Sequence, residues 1–171
     1  MSVATTVLTN YDTMYKDASA DTGNGAGGWW PEEGQHTCII LSVTNSPATF
    51  RTGDGQEFPS TLISFRYQLM EDPGSPGEPR EFEGAPINLP NDPSQVTAEN
   101  QQTRIRIELQ RLKGHLSTIL GGPSAMTNNL PVDLASAAKA VEGQDKAFVV
   151  NCQYQNRNGK TYRKDFLVRS L

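Results

Sequence analysis

The stretch "STLISFRYQLME", residues 60–71, alternates strictly. In an extended backbone Ile63, Phe65, Tyr67 and Leu69 fall on one side, and Leu62, Ser64, Arg66 and Gln68 on the other. Such a segment needs a sheet with an apolar face to bury, which limits the fold classes open to the chain. Its neighbours agree. "HTCIILSVTN" is a β-branched run that predicts a first strand over residues 35–45, and "SPATFRTGDGQEFPS" predicts a hairpin tip with Gly53, Asp54 and Gly55 as turn residues. After the alternating strand, the Pro/Gly turn "DPGSPGEP" leads to a shorter strand in "REFEGAPINLP".

The period then changes. Ile105, Leu109, Leu112, Leu116 and Leu120 recur at helical spacing, with Thr97 as a cap and Gly121 and Gly122 ending the element. "LASAAKAV" predicts a second helix, with Pro131 near its start. "AFVVNCQYQ" and "KTYRKDFLVR" flank "NRNG", whose Asn158-Gly159 pair is a hairpin signal. Three strands, a helical segment and a two-strand hairpin predict a mainly β fold with helices. The expected form is a five-stranded OB-fold-like barrel with the helical segment between strands three and four, because closure hides the edges of short strands. Residues 1–28, polar and ending in "TGNGAGG", read as a flexible arm, and residues 29–171 as a single OB-fold-like domain.

Charge is unevenly spread. The chain is net −4, yet residues 146–171 carry six Lys/Arg and a single acid, Asp165. An acidic chain argues against a general nucleic-acid coat, but screening beyond about 8–10 Å lets a local basic face act by itself. Cys38 and Cys152 lie far apart inside apolar runs and read as buried free thiols. Neither they nor His36 and His115 have zinc-ligand spacing, so no metal and no cofactor is expected. No apolar run approaches the roughly 20 residues that cross a bilayer. The N-terminus lacks the basic start and apolar stretch of a secretory leader. A soluble protein of the cytoplasm, without a membrane role, is the expectation.

Several pieces together resemble the single-stranded DNA-binding proteins of bacteriophages, an OB-fold family. They are "PEEGQHTCIILSV", "FPSTLISFRYQLMEDPGSPG", "LQRLKGHLSTILG", "DLASAAKAVEGQ" and "AFVVNCQYQNRNGKTYRKDF", whose order and spacing carry the match from Trp30 to Phe166. The resemblance implies sequence-tolerant binding of single-stranded DNA in phage replication or recombination, in the cytoplasm of a host cell. It also implies phage replication or recombination proteins as partners, and it is compatible with a homo-oligomer. The bacterial relatives end in an acidic tail that this chain lacks, so recruitment of replication enzymes through such a tail is not expected.

Single strands are held by a positive groove with aromatic faces on which bases stack. The last hairpin supplies both in Tyr154, Arg157, Lys160, Tyr162, Arg163 and Lys164. Arg66 beside Tyr67, and Arg51 with Phe58 in the preceding loop, are further binding candidates. So is Trp30: in the extended pair Trp29-Trp30 the rings point opposite ways, one to seal the barrel and one to meet a base. The alternative, a solvated hairpin with its tyrosines packed at the barrel rim, stays open, and the helix arginines Arg104, Arg106 and Arg111 read as a solvated face. No enzyme is expected, for there is no phosphate-binding Gly-rich loop, Ser-His-Asp order, HExxH or paired-cysteine site. Glu78, Glu81 and Glu83 in "EPREFEGAP" read as solvated loop charges. The rival class is a phage virion component or other structural or interaction protein with no nucleic-acid role.

Overall fold

Strand alternation is realised in a long antiparallel hairpin. β1 (Gly34–Arg51) pairs with β2 (Glu57–Leu69), from Cys38 opposite Leu69 to Arg51 opposite Glu57. The computed structural model describes residues 29–70 and 80–171. The chain divides into Met1–Trp30 and Pro31–Leu171, and of the first unit only Trp29 and Trp30 are described. The arm expected over residues 1–28 and the Pro/Gly turn after the second strand lie outside the described residues.

Ile63, Phe65, Tyr67 and Leu69 are buried, as their alternation predicts. Leu41 is an extra residue in the register and bulges β1. The bulge keeps Cys38 and Ile40 on one side of it, and Val43 and Asn45 on the other, on the core-facing side of the sheet. β1 is longer than expected, running to Arg51 rather than 45, because Thr49 and Phe50 pair with Pro59 and Phe58. The tip shrinks to residues 52–56. There the Thr52 amide donates to the Gln56 carbonyl (3.0 Å), and Gly55 takes a φ of +86°, a left-handed conformation that glycine adopts without steric cost.

The single short strand expected over residues 80–90 is two strands. β3 (Glu81–Glu83) pairs with Arg66–Gln68 of β2, and β4 (Ile87–Pro90) pairs with Ser60–Ile63 of the same strand. Between them, the Gly84 amide still bonds the Phe65 carbonyl (2.8 Å), but the Ala85 amide donates to the Asp165 carboxylate and Pro86 has no amide hydrogen. The helices are α1 (Glu99–Leu120) and α2 (Leu130–Val141). α2 starts earlier than "LASAAKAV", because Asn129 caps it through the Val132 amide (3.2 Å) and Pro131 lies in its first turn. β5 (Ala147–Arg157) and β6 (Lys160–Ser170) close the chain as a hairpin. Asn158 and Gly159 have φ of 52° and 77°, the paired left-handed residues of a type I′ turn.

The sheet has six strands in the order β3-β2-β1-β5-β6, with β4 also on β2. It does not close into a five-stranded barrel: among the described residues no ladder joins β6 to β3 or β4. α1 packs against both β4 and β6. Its side chains cap the outer edge of β6, with Arg111 donating to the Asp165 carbonyl (3.2 Å) and Thr118 to the Leu167 carbonyl (3.5 Å). Covering an edge in this way blocks further strand pairing as effectively as closure does.

The buried stripe of α1 also differs from the expected one. Arg111, Leu112, His115, Leu116 and Ile119 are buried, whereas Leu109 is 41% exposed. The cap is Ala98, with no side-chain bond, rather than Thr97. No helix among the described residues is long and apolar enough to cross a membrane.

Candidate nucleic-acid interface

The C-terminal hairpin outruns the sheet. Cys152 pairs with Gly34, the first residue of β1, but residues 153–157 continue with only β6 beside them in the ladder, about 17 Å at the usual strand rise. Register and alternation sort its side chains. Gln153, Gln155 and Arg157 share the outer face with Lys164, Tyr162 and Lys160, their respective partners across the ladder. Tyr154 and Arg163 oppose each other on the inner face, in line with buried Cys152 and Asp165. The candidates thus divide between two faces, Tyr162 and Lys164 on one and Arg163 on the other, as strand alternation puts them.

On the outer face, Arg157 and Lys160 are exposed and Tyr162 is 49% exposed. Lys164 reaches Glu108 of α1 at 3.4 Å. On the inner face, the Tyr154 hydroxyl donates to the Pro31 carbonyl at 2.7 Å, and burial pushes its phenol up from the ordinary value. Tyr154 thus anchors the hairpin to the chain leading into β1, a role at the rim rather than on a ligand.

The outer face continues onto β1 and β2 through the pairs Ser42–Arg66, Thr44–Ser64 and Ser46–Leu62, and onto β5 through Gln35–Asn151 and Thr37–Val149. Hydroxyl and amide side chains dominate it. Arg66 is exposed and holds Glu81 of β3 through Nε (3.1 Å) and Nη2 (2.8 Å). Arg51 lies at the β1–β2 tip and holds Glu57 at 2.9 Å, close in sequence to Asp54. Hydrogen bonds from Thr52 and the Gln56 amide hold the Asp54 carboxyl below its ordinary range. That tip is therefore no positive patch. Phe58 is half-buried opposite buried Phe50, whose ring carries the Arg104 guanidinium 4.5 Å from its centroid. Of the helix arginines expected to form a solvated face, Arg104 and Arg106 are exposed and only Arg111 is buried.

Two candidates are corrected by burial. Tyr67 is 0% exposed, its ring stacked on Phe82 at 5.1 Å, so it serves the core and presents no face to a base. Trp30 is 8% exposed and Trp29 half-buried, so the tryptophan assigned to base stacking is the more buried of the pair.

Beneath this face lies a polar cluster that sequence reasoning missed. Asp165 of β6 is fully buried and accepts four hydrogen bonds. Its Oδ1 takes the Ala85 amide (2.7 Å) and Arg111 Nη1 (3.2 Å), while Oδ2 takes the Tyr67 hydroxyl (2.7 Å) and His115 Nε2 (3.1 Å). A carboxylate offers about four acceptor sites, so all are used. His115 Nδ1 lies 2.9 Å from the Arg111 carbonyl, so both ring nitrogens face acceptors, and Arg111 Nη2 also bonds Glu108 (3.1 Å) and the Ala85 carbonyl (2.9 Å). Burial alone pushes the Asp165 carboxyl up, but the His115 bond and the charges of His115 and Arg111 outweigh it and hold it below the usual range. Burial, then the Asp165 charge, pushes the Tyr67 phenol well up. The cluster joins β6, α1, β2 and the bend after β3, and it fixes where the basic hairpin leaves the sheet. One signal pointed to it: Arg111 and His115 sit beside Leu112 and Leu116, at the same four-residue spacing.

Cys38 and Cys152 are free and buried, and burial pushes the Cys152 thiol up, away from reactivity. Among the described residues no three His, Cys, Asp or Glu side chains group as metal ligands. Compared with known proteins, the chain matches no family model, and no curated protein matches it.

Proposed function

We propose that this protein binds single-stranded DNA without strong base preference, through the outer face of the β5–β6 hairpin and the adjoining face of β1 and β2. The observation that carries the reading is the hairpin itself. In an acidic chain it extends past β1 and displays Arg157, Lys160 and Tyr162 on one exposed face, the cation-plus-ring combination that single strands require. The strand order supports an OB-like reading of the sheet. β3 and β4 stand for one bent third strand, α1 follows it, and Asp165 bridges β6 to the bend at Ala85 in place of a ladder. In that fold the second and third strands and the two hairpin loops form the oligonucleotide face. Here the two tips leave opposite ends of β1 and flank that face. A place in phage DNA replication or recombination follows from the resemblance described above.

Titration of a labelled oligo-dT at two salt concentrations tests the reading, with Arg157→Ala/Lys160→Ala as the variant. The parent binds more weakly as salt rises, because neutralised phosphates release counterions. In the variant the slope of log affinity against log salt shrinks by about 0.7 for each phosphate that is no longer neutralised, at unchanged melting temperature. Salt-indifferent binding, or duplex bound as tightly as single strand, refutes it, and no binding at all favours a structural or interaction protein.

A further inference from the structure

The outer row of β6 does not end at Lys164. Phe166 continues it at the same two-residue spacing, about 14 Å beyond Tyr162 at the usual strand rise, and is half-buried. Here the strand runs beside α1, to which Lys164 is tied through Glu108 at 3.4 Å. Between the two elements lies an open pocket of about 260 Å³, with Phe166 and Leu167 of β6 on one side and Ile107, Gln110 and Gly114 of α1 on the other. Drug-sized ligands occupy roughly 300–1,000 Å³, so this smaller space suits a single planar ring. Ile107, 46% exposed, and Gln110, also exposed, give it an apolar wall and one amide.

Gly114 is the unexpected part of that wall. A glycine inside a helix costs stability relative to alanine, and the usual return is a close approach by a neighbour. No neighbour approaches here. A Cβ on Gly114 would meet no atom beyond its own helical surroundings within 4 Å, so the missing side chain leaves the pocket wide.

We propose that this pocket receives one unstacked base of a bound strand, inserted between α1 and β6. The proposal rests on the nucleic-acid reading above and adds a fourth element, α1, to the binding face. Phe166 offers the ring on which the base stacks, as Tyr162 does further along the row. The Gln110 amide both donates and accepts, so it pairs with the edge of any base and keeps the site tolerant of sequence. Bases in a duplex are paired and stacked, and they enter such a pocket only by flipping out at an energetic cost. The pocket therefore selects single strands against duplex, which the cations of the hairpin cannot do by charge alone.

The experiment measures anisotropy with two labelled strands of equal length, oligo-dT and an abasic strand that keeps only the deoxyribose phosphates. Gly114→Leu fills the pocket from its wall, and Phe166→Leu keeps apolar bulk but removes the ring. Each is expected to weaken oligo-dT binding by about five- to 150-fold, the loss of one base stack, and to leave the abasic strand bound as in the parent. Gly114→Leu is expected to melt no lower than the parent, because leucine favours the helix. Either variant with the parent's affinity for oligo-dT overturns the pocket while leaving the nucleic-acid reading intact. So does an equal loss on both strands, which marks obstruction of the backbone rather than of a base. If Gly114→Leu fails to fold, Phe166→Leu decides by the same two criteria. A parent that does not bind oligo-dT overturns both readings.

Discussion

Replacing Asp165 by Ala strips the acceptor from four donors at once: the Tyr67 hydroxyl, the Ala85 amide, Arg111 Nη1 and His115 Nε2. Asp165 and His115 are 0% and 1% exposed, so water cannot take over without opening the core. Removing one partner of a buried ion pair costs about 3–5 kcal/mol, mostly through the charge left behind. A domain of this size has about 5–15 kcal/mol in all. At about 2–4 °C per kcal/mol, the melting temperature is expected to fall by roughly 6–20 °C. Asp165→Asn keeps the volume but aims an NH₂ group at donors, and is expected to cost nearly as much. Tyr67→Phe removes one donor of the four and is expected to cost about 1–3 kcal/mol, which keeps the series measurable if the Asp165 variants fail to fold. Urea unfolding followed by circular dichroism reads all three. The acid limb supplies a second readout. The folded Asp165 carboxyl lies below its ordinary value of 3.8, so its stabilisation is complete above that pH and is lost as pH falls through the folded value. Asp165→Asn therefore flattens the acid limb of the stability profile. A loss below about 1 kcal/mol for Asp165→Ala, with an unchanged acid limb, would refute the view that this cluster holds the open sheet together.

The remaining predictions concern the bend and the hairpin. Gly84→Ala places a Cβ 2.7 Å from Asp165 Oδ2 and 2.9 Å from Tyr67 Cε2, and is expected to cost about 1–3 kcal/mol in the same unfolding assay, because neither neighbour has room to yield. Tyr162→Ala is expected to weaken oligo-dT binding by about 1–3 kcal/mol with the melting temperature unchanged, since its ring is half exposed. Tyr154→Phe is expected to do the reverse, losing about 1 kcal/mol of stability with its bond to the Pro31 carbonyl and leaving binding as it was.

Much of the candidate site was legible because it rests on local chemistry. The Asn158-Gly159 turn dictates the hairpin, and alternation alone puts Arg157, Tyr162 and Lys164 in one row. What the row lacked was a reference for which side is the core. Alternation also sets Arg163 on the face opposite Tyr162 and Lys164, but only packing against Pro31 and buried Cys152 and Asp165 decided which of the two faces is the core side. Tyr67 failed as a binding candidate for the same reason. Its alternation correctly put it with Phe65 and Leu69, but placing Arg66 next to it drew it to the wrong face.

The strands, their alternation, the helix and both hairpin turns were determined by the sequence itself, since each depends on residues within a few positions of one another. Whether the sheet closes was decided by the tertiary structure. Asp165 finds its partners 98, 80, 54 and 50 residues upstream, at Tyr67, Ala85, Arg111 and His115. No periodicity records a bond across such separations. A single carboxylate in a basic strand looks like surface charge until the fold buries it. It then bonds the Ala85 amide at the bend between β3 and β4 and holds the β6 edge against α1 through Arg111, because a buried charge is costly unless paired and hydrogen-bonded.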